Sequence, residues 1–318
     1  MTIRQESLQA VSAIRAQLEA CIFGKTEEIQ LLLTAVLAGG HVLIEDVPGT
    51  GKTQLVKAVA KTMDGQFRRI QCNPDLLPSD ITGVSIFHPK EDRFIFRPGP
   101  IMTNIMLADE INRATTKTQS ALLEAMEERH VTVDGETHPL PHPFMLIATQ
   151  NPIDFEGTYM LPEAQLDRFM MKMTLGYPDE ETEKRLIFSQ HQGQLIDSVQ
   201  SVTDMKEIGL IQSEVRQVHM DLVVGDYLVH IIRKTRDHSA SMLGASPRAS
   251  MALMTASKAH AFIQGRDYVM PDDVKYLAPY VLAHRVLIRP EARMNGMTPH
   301  ALIQSVLEQV NVPIRLER

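Results

Sequence analysis

Residues 6 to 38 carry apolar positions at helical spacing. Leu8, Val11, Ile14 and Leu18, with Arg15 beside them, predict one amphipathic helix. Glu27 to Leu37 predict a second, closed by Gly39-Gly40. The pattern then shifts to short apolar runs. HVLIED reads as a strand, TQLVKAVAKTM as a helix and FRRIQC as a second strand. Asn73 to Pro100 is rich in Pro, Gly and Asp, and within it FHPKEDRFIF reads as a two-stranded hairpin turning at Lys90 to Asp92. IMLADE predicts a third strand, and TKTQSALLEAMEERH a helix with Ala121, Leu122, Ala125 and Met126 on one face. VTVDGETHPL predicts a second hairpin with Asp134-Gly135 as its turn. FMLIATQ and MMKMTLGYP add a fourth and a fifth strand, the last ended by Pro178.

Beyond Pro178 the pattern is helical throughout. ETEKRLIFSQH, DYLVHIIRKTR, SPRASMALMTASKAHAFI and PDDVKYLAPYVLAHRV all have helical spacing, with Pro271 placed as a first-turn proline. Strands alternating with helices, followed by helices alone, predict an α/β domain with a parallel sheet over residues 1–178 and an all-helical domain over 179–318. No internal repeat or low-complexity tract interrupts this order.

Composition narrows the class. The 318 residues are 44% hydrophobic and 22% charged, as expected of an ordinary globular protein with ample core. Trp is absent, so the core leans on Leu, Ile, Val and 18 Met, an adaptable gap-filler. A net charge of −7 argues against a protein that works by coating nucleic acid. The N-terminus is interrupted by charge and has no secretory apolar region, and PHPFMLIATQNPI is too short and proline-rich to span a bilayer. Cys21 and Cys72 make neither a metal spacing nor a disulfide framework. The expectation is a cytoplasmic protein without membrane insertion.

The chemistry begins at LIEDVPGTGKTQ, Leu43 to Gln54. A strand, a glycine-bearing loop and Lys-Thr opening a helix form a phosphate cradle: Gly49 and Gly51 let successive N–H groups face inward. Lys52 reaches the β- and γ-phosphates, the Thr53 hydroxyl ligates Mg²⁺, and the helix adds its positive end. Pro48, Thr50 and Gln54 complete the loop. The usual pattern G-x-x-x-x-G-K-[ST] wants glycine where this chain has Asp46. Asp tolerates unusual backbone conformations better than most residues. The expectation is that the loop still binds, at an affinity lowered by the charges of Asp46 and Glu45. IMLADE ends in Asp109-Glu110 at the carboxyl end of a strand, where α/β sheets bind ligands. Asp109 suits a Mg²⁺ partner and Glu110 a base that polarises water. In ATQNP, Asn151 lies just past another strand, where its amide suits the attacking water or the γ-phosphate.

Together these residues resemble the AAA+ ATPases, and within them the MoxR family. The resemblance is carried by LLLTAVLAGGHVLIEDVPGTGKT, QCNPDLLPSDITG, FRPGPIMTNIMLADEINRA, TKTQSALLEAMEERHVTVDG, FMLIATQNPIDFEGTYMLPEAQLDRF and SPRAS, in family order over almost the whole chain. It implies an AAA+ P-loop core with a parallel sheet, followed by a helical lid. FHPKEDRFIFRPG (about 84–98) looks like the helix-2 insert, and VTVDGETHPL (about 130–141) like the hairpin before the first sensor. Lys52 and Thr53 then match the Walker A pair, Asp109 and Glu110 the Walker B pair, and Asn151 the first sensor. Arg168, in EAQLDRF, matches the arginine finger that a neighbouring subunit inserts. Arg248, in SPRAS, matches the second sensor, reaching from the lid. Phe23 and Gly24 match the segment lining the adenine pocket. ATP and Mg²⁺ are the implied ligands, and a ring, by family a hexamer, the implied assembly.

The function this implies is a Mg²⁺-ATPase ring that remodels or activates protein clients in a chaperone-like way, with a von Willebrand factor A domain protein as the expected partner. Two alternatives stay open: a nucleic-acid translocase of the helix-2-insert type, disfavoured by the acidic total and by hairpins poor in Lys and Arg, and a nucleotide switch of low turnover. Other features carry less. His138 and His142 are flanked by Pro139 and Pro141, so a solvated loop is expected rather than a metal pair. Met170, Met171 and Met173 are expected to pack, and Arg68-Arg69 is too short for a nucleic-acid patch. No Ser or Cys has a His arrangement that suggests a hydrolase nucleophile.

Overall fold

In the computed structural model, residues 3–152, 158–189 and 195–313 are described. Helix α1 (Ile3–Cys21) buries the expected stripe of Val11, Ile14 and Leu18, while Arg15 turns outward to pair with Glu19 at 2.8 Å. Helix α2 (Thr26–Ala38) ends at Gly39 and leads into β1 (Val42–Glu45) and α3 (Lys52–Thr62). There follow β2 (Phe67–Gln71), α4 (Pro78–Thr82), the hairpin β3 (Gly83–His88) and β4 (Arg93–Pro98), and β5 (Ile105–Asp109). Next come α5 (Thr116–Glu128), the hairpin β6 (His130–Val133) and β7 (Glu136–Pro139), β8 (Met145–Gln150), the single turn α6 (Glu163–Leu166) and β9 (Met171–Met173).

Strands β2-β5-β8-β1-β9, in that order, form one parallel sheet. Its three inner strands are almost wholly buried, which is why they read as unbroken apolar runs rather than as alternation. Strand β9 pairs only through Met173, where the sequence suggested a run to Pro178; the N–H groups of Leu175 and Gly176 leave the ladder for the Asp46 carboxylate.

Both expected hairpins form, and the first is pinned at its base. A Cβ on Gly83 would lie 2.3 Å from the Arg97 carbonyl oxygen, and one on Gly99 would lie 2.1 Å from that of Ile81, so only glycine fits this close crossing. The two hairpins touch through Phe96 and His138, whose rings stack 3.8 Å apart at 7°. His138 therefore sits on a strand against an aromatic ring, correcting the solvated-loop expectation; His142 is exposed.

The second half is helical: α7 (Glu180–Ser189), α8 (Met205–Gln217), α9 (Leu222–Asp237), α10 (Pro247–Ile263), α11 (Pro271–Leu282), α12 (Pro290–Met294) and α13 (Pro299–Gln309), with a short ladder of β10 (Ser241–Leu243) and β11 (Leu287–Ile288). Gln190 and His191, expected to extend α7, lie outside the described residues, as do residues 153–157 of the Asn151 loop. Among the described residues no helix is long and apolar enough to cross a membrane. One apolar core runs from α1, α2 and the sheet into α8–α11. Polar contacts reinforce this junction. Gln212 donates to the Val36 carbonyl at 2.8 Å, and Gln30 donates to His260, which in turn holds buried Asp273 at 2.7 Å.

Asp273 also accepts from Arg266 and from the Met270 N–H. Burial alone would raise its carboxyl, but the His260, Arg266 and Met270 hydrogen bonds outweigh burial and hold it below its ordinary value. Its contribution to stability is thus present above about pH 4 and lost as pH falls through the lower folded-state value. Asp273→Ala should cost about 3 kcal/mol by removing the anion that pairs Arg266 and the acceptor that serves His260 and the Met270 N–H. Urea unfolding at pH 7 and at pH 3 checks this: the gap between parent and variant should narrow at the lower pH. An equal midpoint at pH 7 would contradict it.

Candidate active site

The loop between β1 and α3 is built as a cradle. Gly49 and Gly51 both adopt φ near +88°, and a Cβ on either would meet nothing within 4 Å. The space their missing side chains leave is open and faces a cavity of about 280 Å³. Pro48, Thr50, Lys52, Thr53 and Gln54 line that cavity from the loop, and Asp109, Glu110 and Asn151 line it from β5 and β8. Sequence spacing had linked these residues; the parallel sheet brings them to one edge, at the carboxyl ends of β1, β5 and β8. Lys52 Nζ donates to the Asp46 and Val47 carbonyls at 3.1 and 2.7 Å, which keeps the ammonium over the loop. An open backbone nest with an ammonium above it and a helix start beneath fits a phosphate chain.

Asp46 has a different role from the one expected. Its φ is not positive, so no glycine is required there. Its carboxylate is buried and already engaged: Oδ2 accepts from the N–H of Leu175 (2.9 Å) and Gly176 (2.8 Å), and Oδ1 from the N–H of Val47 (2.8 Å). Asp46 thus ties the start of the loop to the chain leaving β9. The neighbouring Glu45 is paired with Lys172 at 2.5 Å and bonded to Gln150. Both carboxylates thus have internal partners, Glu45 a lysine and Asp46 three neutral N–H donors that leave its charge in place beside the cavity.

The two acidic residues at the end of β5 are each fixed. Asp109 Oδ1 accepts from the Thr149 hydroxyl at 2.5 Å, and Oδ2 from Arg69 at 2.6 Å. Glu110 stands at φ +56°, a strained position for a non-glycine residue; its N–H donates to Thr149 Oγ1, and its carboxylate accepts from Gln71 (2.9 Å) and Arg113 (3.2 Å). Arg69, Gln71, Thr149 and Arg113 are thus site residues that sequence reading missed. Arg69 and Gln71 alternate along β2 and share its outward face, a signal present in FRRIQ. Buried Cys72 follows, its thiol pushed up to about 12 by burial and by Asp109 and Glu110, which makes it inert.

Phe23 and Gly24 do not line the phosphate cavity. The Arg185 guanidinium of α7 lies 4.4 Å over the Phe23 ring, and a Cβ on Gly24 would press on Thr182. Lys25 nevertheless bonds the Leu175 carbonyl, and Leu175 bonds Asp46, so this segment is tied to the loop edge.

The two arginines are elsewhere. Arg168 and Arg248 line a second cavity with Gly39, Gly40, His41 and Glu127. Residues 38–41 precede β1, whereas the phosphate loop follows it; the two cavities share no lining residue. Four residues of β1 separate the two edges, about 13 Å at 3.3 Å per residue. Glu127 at the end of α5 pairs with both guanidinium groups, at 2.8 Å with Arg168 and in a close contact with Arg248. Arg248, expected to reach from the lid, thus lies against Glu127 and does not line the cavity of its own phosphate loop. Helix α10 begins at Pro247 against the Asp167–Arg168 turn, and this packing fixes where Arg248 points.

Comparison with known proteins agrees with this geometry. The family model described as "ATPase family associated with various cellular activities (AAA)" matches residues 41–171, and the AAA lid domain matches 233–306. The chain is 51% identical to the uncharacterized protein YeaC of Bacillus subtilis over 92% of its own length and 91% of that protein's. It is 41% identical to the chaperone MoxR1 of Mycobacterium tuberculosis over 93% of this chain and 81% of that one. It is 29% identical to the protein MoxR of Methylorubrum extorquens over 96% and 95%. A crystal structure of a candidate ATPase from Cytophaga hutchinsonii superimposes with a TM-score of 0.92 at 38% identity, covering 98% of this chain and 97% of that one.

Asp46→Gly, which restores the usual loop pattern, should lower stability by about 3 kcal/mol by removing a buried acceptor from three N–H donors. It should also weaken nucleotide binding. Thermal unfolding and nucleotide titration check both effects, and a tighter-binding or more stable variant would show that the carboxylate opposes the ligand after all.

Proposed function

The chain belongs to the MoxR family of AAA+ ATPases, and from that premise we propose that it hydrolyses ATP at a site shared between two copies of itself. The observation that carries this reading is the convergence of Arg168 and Arg248 on Glu127 at the amino edge of the sheet, away from the phosphate loop at the carboxyl edge. A γ-phosphate needs cations beyond Lys52 as charge develops on it, and in this reading the arginines of this chain serve a neighbour's. A heterologous contact repeated in this way closes into a ring, by family a hexamer.

In this reading the loop residues 48–54 hold the phosphates by backbone N–H groups and Lys52, with Phe23 and Gly24 toward the adenine. Thr53 and Asp109 would hold Mg²⁺, which supplies neutralisation of the phosphate oxygens when bound. Arg69 now covers Asp109 and would yield it. Glu110 takes the proton of the attacking water, and Gln71 and Arg113 hold that carboxylate aside until they release it. Asn151 orients the water or the γ-phosphate.

The division at 178/179 separates the nucleotide-binding domain from the lid. Turnover is coupled to a protein client, here taken to be a partner with a von Willebrand factor A domain, and the setting is the cytosol. The first hairpin supports this reading, because Val84, Ile86, Phe87 and Phe94 are exposed on it, an apolar surface better suited to protein than to phosphate backbone.

Arg168→Ala should lower kcat by about 10³ while nucleotide affinity stays at the parent value, and the parent rate should rise more than linearly with protein concentration. Glu110→Gln should bind ATP and hold it. Steady-state kinetics with Mg²⁺ checks both. Equal rates for parent and Glu110→Gln would instead favour a nucleotide switch.

A further inference from the structure

The turn carrying Arg168 has little frame of its own. Helix α6 before it is four residues long with none buried, too short to hold a shape unaided. Arg168 donates to the Leu123 carbonyl, and Phe169 is buried behind it. The turn bonds within itself, Arg168 N–H to the Gln165 carbonyl and Phe169 N–H to that of Leu166, and the side chains that bond the Asp167 and Phe169 carbonyls come from the helical half. Arg285, just past α11, is buried at 8% exposure. It donates through Nη2 to the carbonyls of Asp167 (2.9 Å) and Phe169 (2.7 Å) and through Nη1 to that of Val281 (2.9 Å). Its Nε lies 2.8 Å from Asp167 Oδ1 as an ion pair. His284 adds a second contact to the Phe169 carbonyl at 3.0 Å. Asp167 in turn accepts from Ser246 Oγ at 2.9 Å, and Ser246 caps the helix that bears Arg248.

A buried guanidinium is costly unless its donors are taken, and apolar residues of similar volume often serve stability as well. Burial pulls Arg285 down to about 10 with Asp167 opposing, so it stays charged at neutral pH. Its fork spans two carbonyls of one turn, a task the point charge of a lysine cannot match. The flanking positions Asp167 and Phe169 are bonded while Arg168 between them faces outward toward Glu127. This is the arrangement expected of a clamp.

We propose that Arg285 is the positioning residue for Arg168, clamping the Asp167–Phe169 turn and, through Asp167 and Ser246, holding Arg248 in register with it. The inference rests on the shared-site reading above. It makes the helical half of one protomer the part that sets the reach of both arginines into the next protomer's site.

Complementation tests this, because the defect belongs to the neighbour's site. Arg285→Gln should lower kcat roughly 10²-fold, as small misplacements of a catalytic group do, with nucleotide affinity unchanged. Mixing it with Lys52→Ala, whose own loop is disabled but whose arginines are intact, should restore turnover, since the intact loops then meet correctly held arginines. Arg168→Ala, treated the same way, is the control. If Arg168→Ala retains the parent rate, the shared site and the clamp both fall. If Arg168→Ala is impaired and complemented but Arg285→Gln keeps the parent rate, or is impaired and not complemented, the clamp alone is overturned. Should Arg285→Gln not fold, Asp167→Asn decides by the same criteria: a complementable loss of kcat supports the clamp, and a parent-like rate overturns it.

Discussion

The direction of five parallel strands governs everything else in this molecule. All carboxyl ends lie on one edge, so the phosphate loop after β1 and the acidic pair after β5 meet there. All amino ends lie on the other, and the turn before β9 presents Arg168 from that edge. Arg168 and Arg248 are thus separated from the cradle by the width of the sheet within one chain, and in the proposed reading a second copy brings them together. On that reading association and turnover are one event, because a neighbour completes the chemistry.

The charged groups around the loop follow a common rule: each is held by a partner that must be kept or given up. Asp46 keeps its three N–H donors and acts as a strut. Asp109 and Glu110 are held by Arg69, Gln71 and Arg113, partners that can swing away because they are exposed on the sheet's outer strand or in a short turn. Glu127 holds Arg168 and Arg248 at the opposite edge, where Arg129 and the buried Arg285 also line the cavity. Buried Arg285 fixes the turn it bonds, whereas Arg69 and Arg113 are about half exposed.

Much of this was legible in the chain. The inner strands were readable because burial on both faces makes them apolar throughout, and the hairpin at Asp134-Gly135 because its turn requires left-handed residues. The residues of the phosphate cavity were readable because adjacent residues on loops and strand ends stay adjacent in space. Relations made by tertiary packing were not readable. Nothing local says that Asp46 bonds Leu175 and Gly176, or that Gln212 of α8 bonds α2. Nor does SPRAS say which edge of the sheet Arg248 reaches, since that depends on how α10 docks on the Asp167 turn.

The most direct test of the shared site is a structure of the assembled protein with a non-hydrolysable ATP analogue and magnesium. The account predicts the γ-phosphate between Lys52 of one protomer and the Arg168 and Arg248 guanidinium groups of the adjoining one. An analogue contacted only by residues of a single chain, or an arginine reaching the phosphate of its own loop, would contradict it.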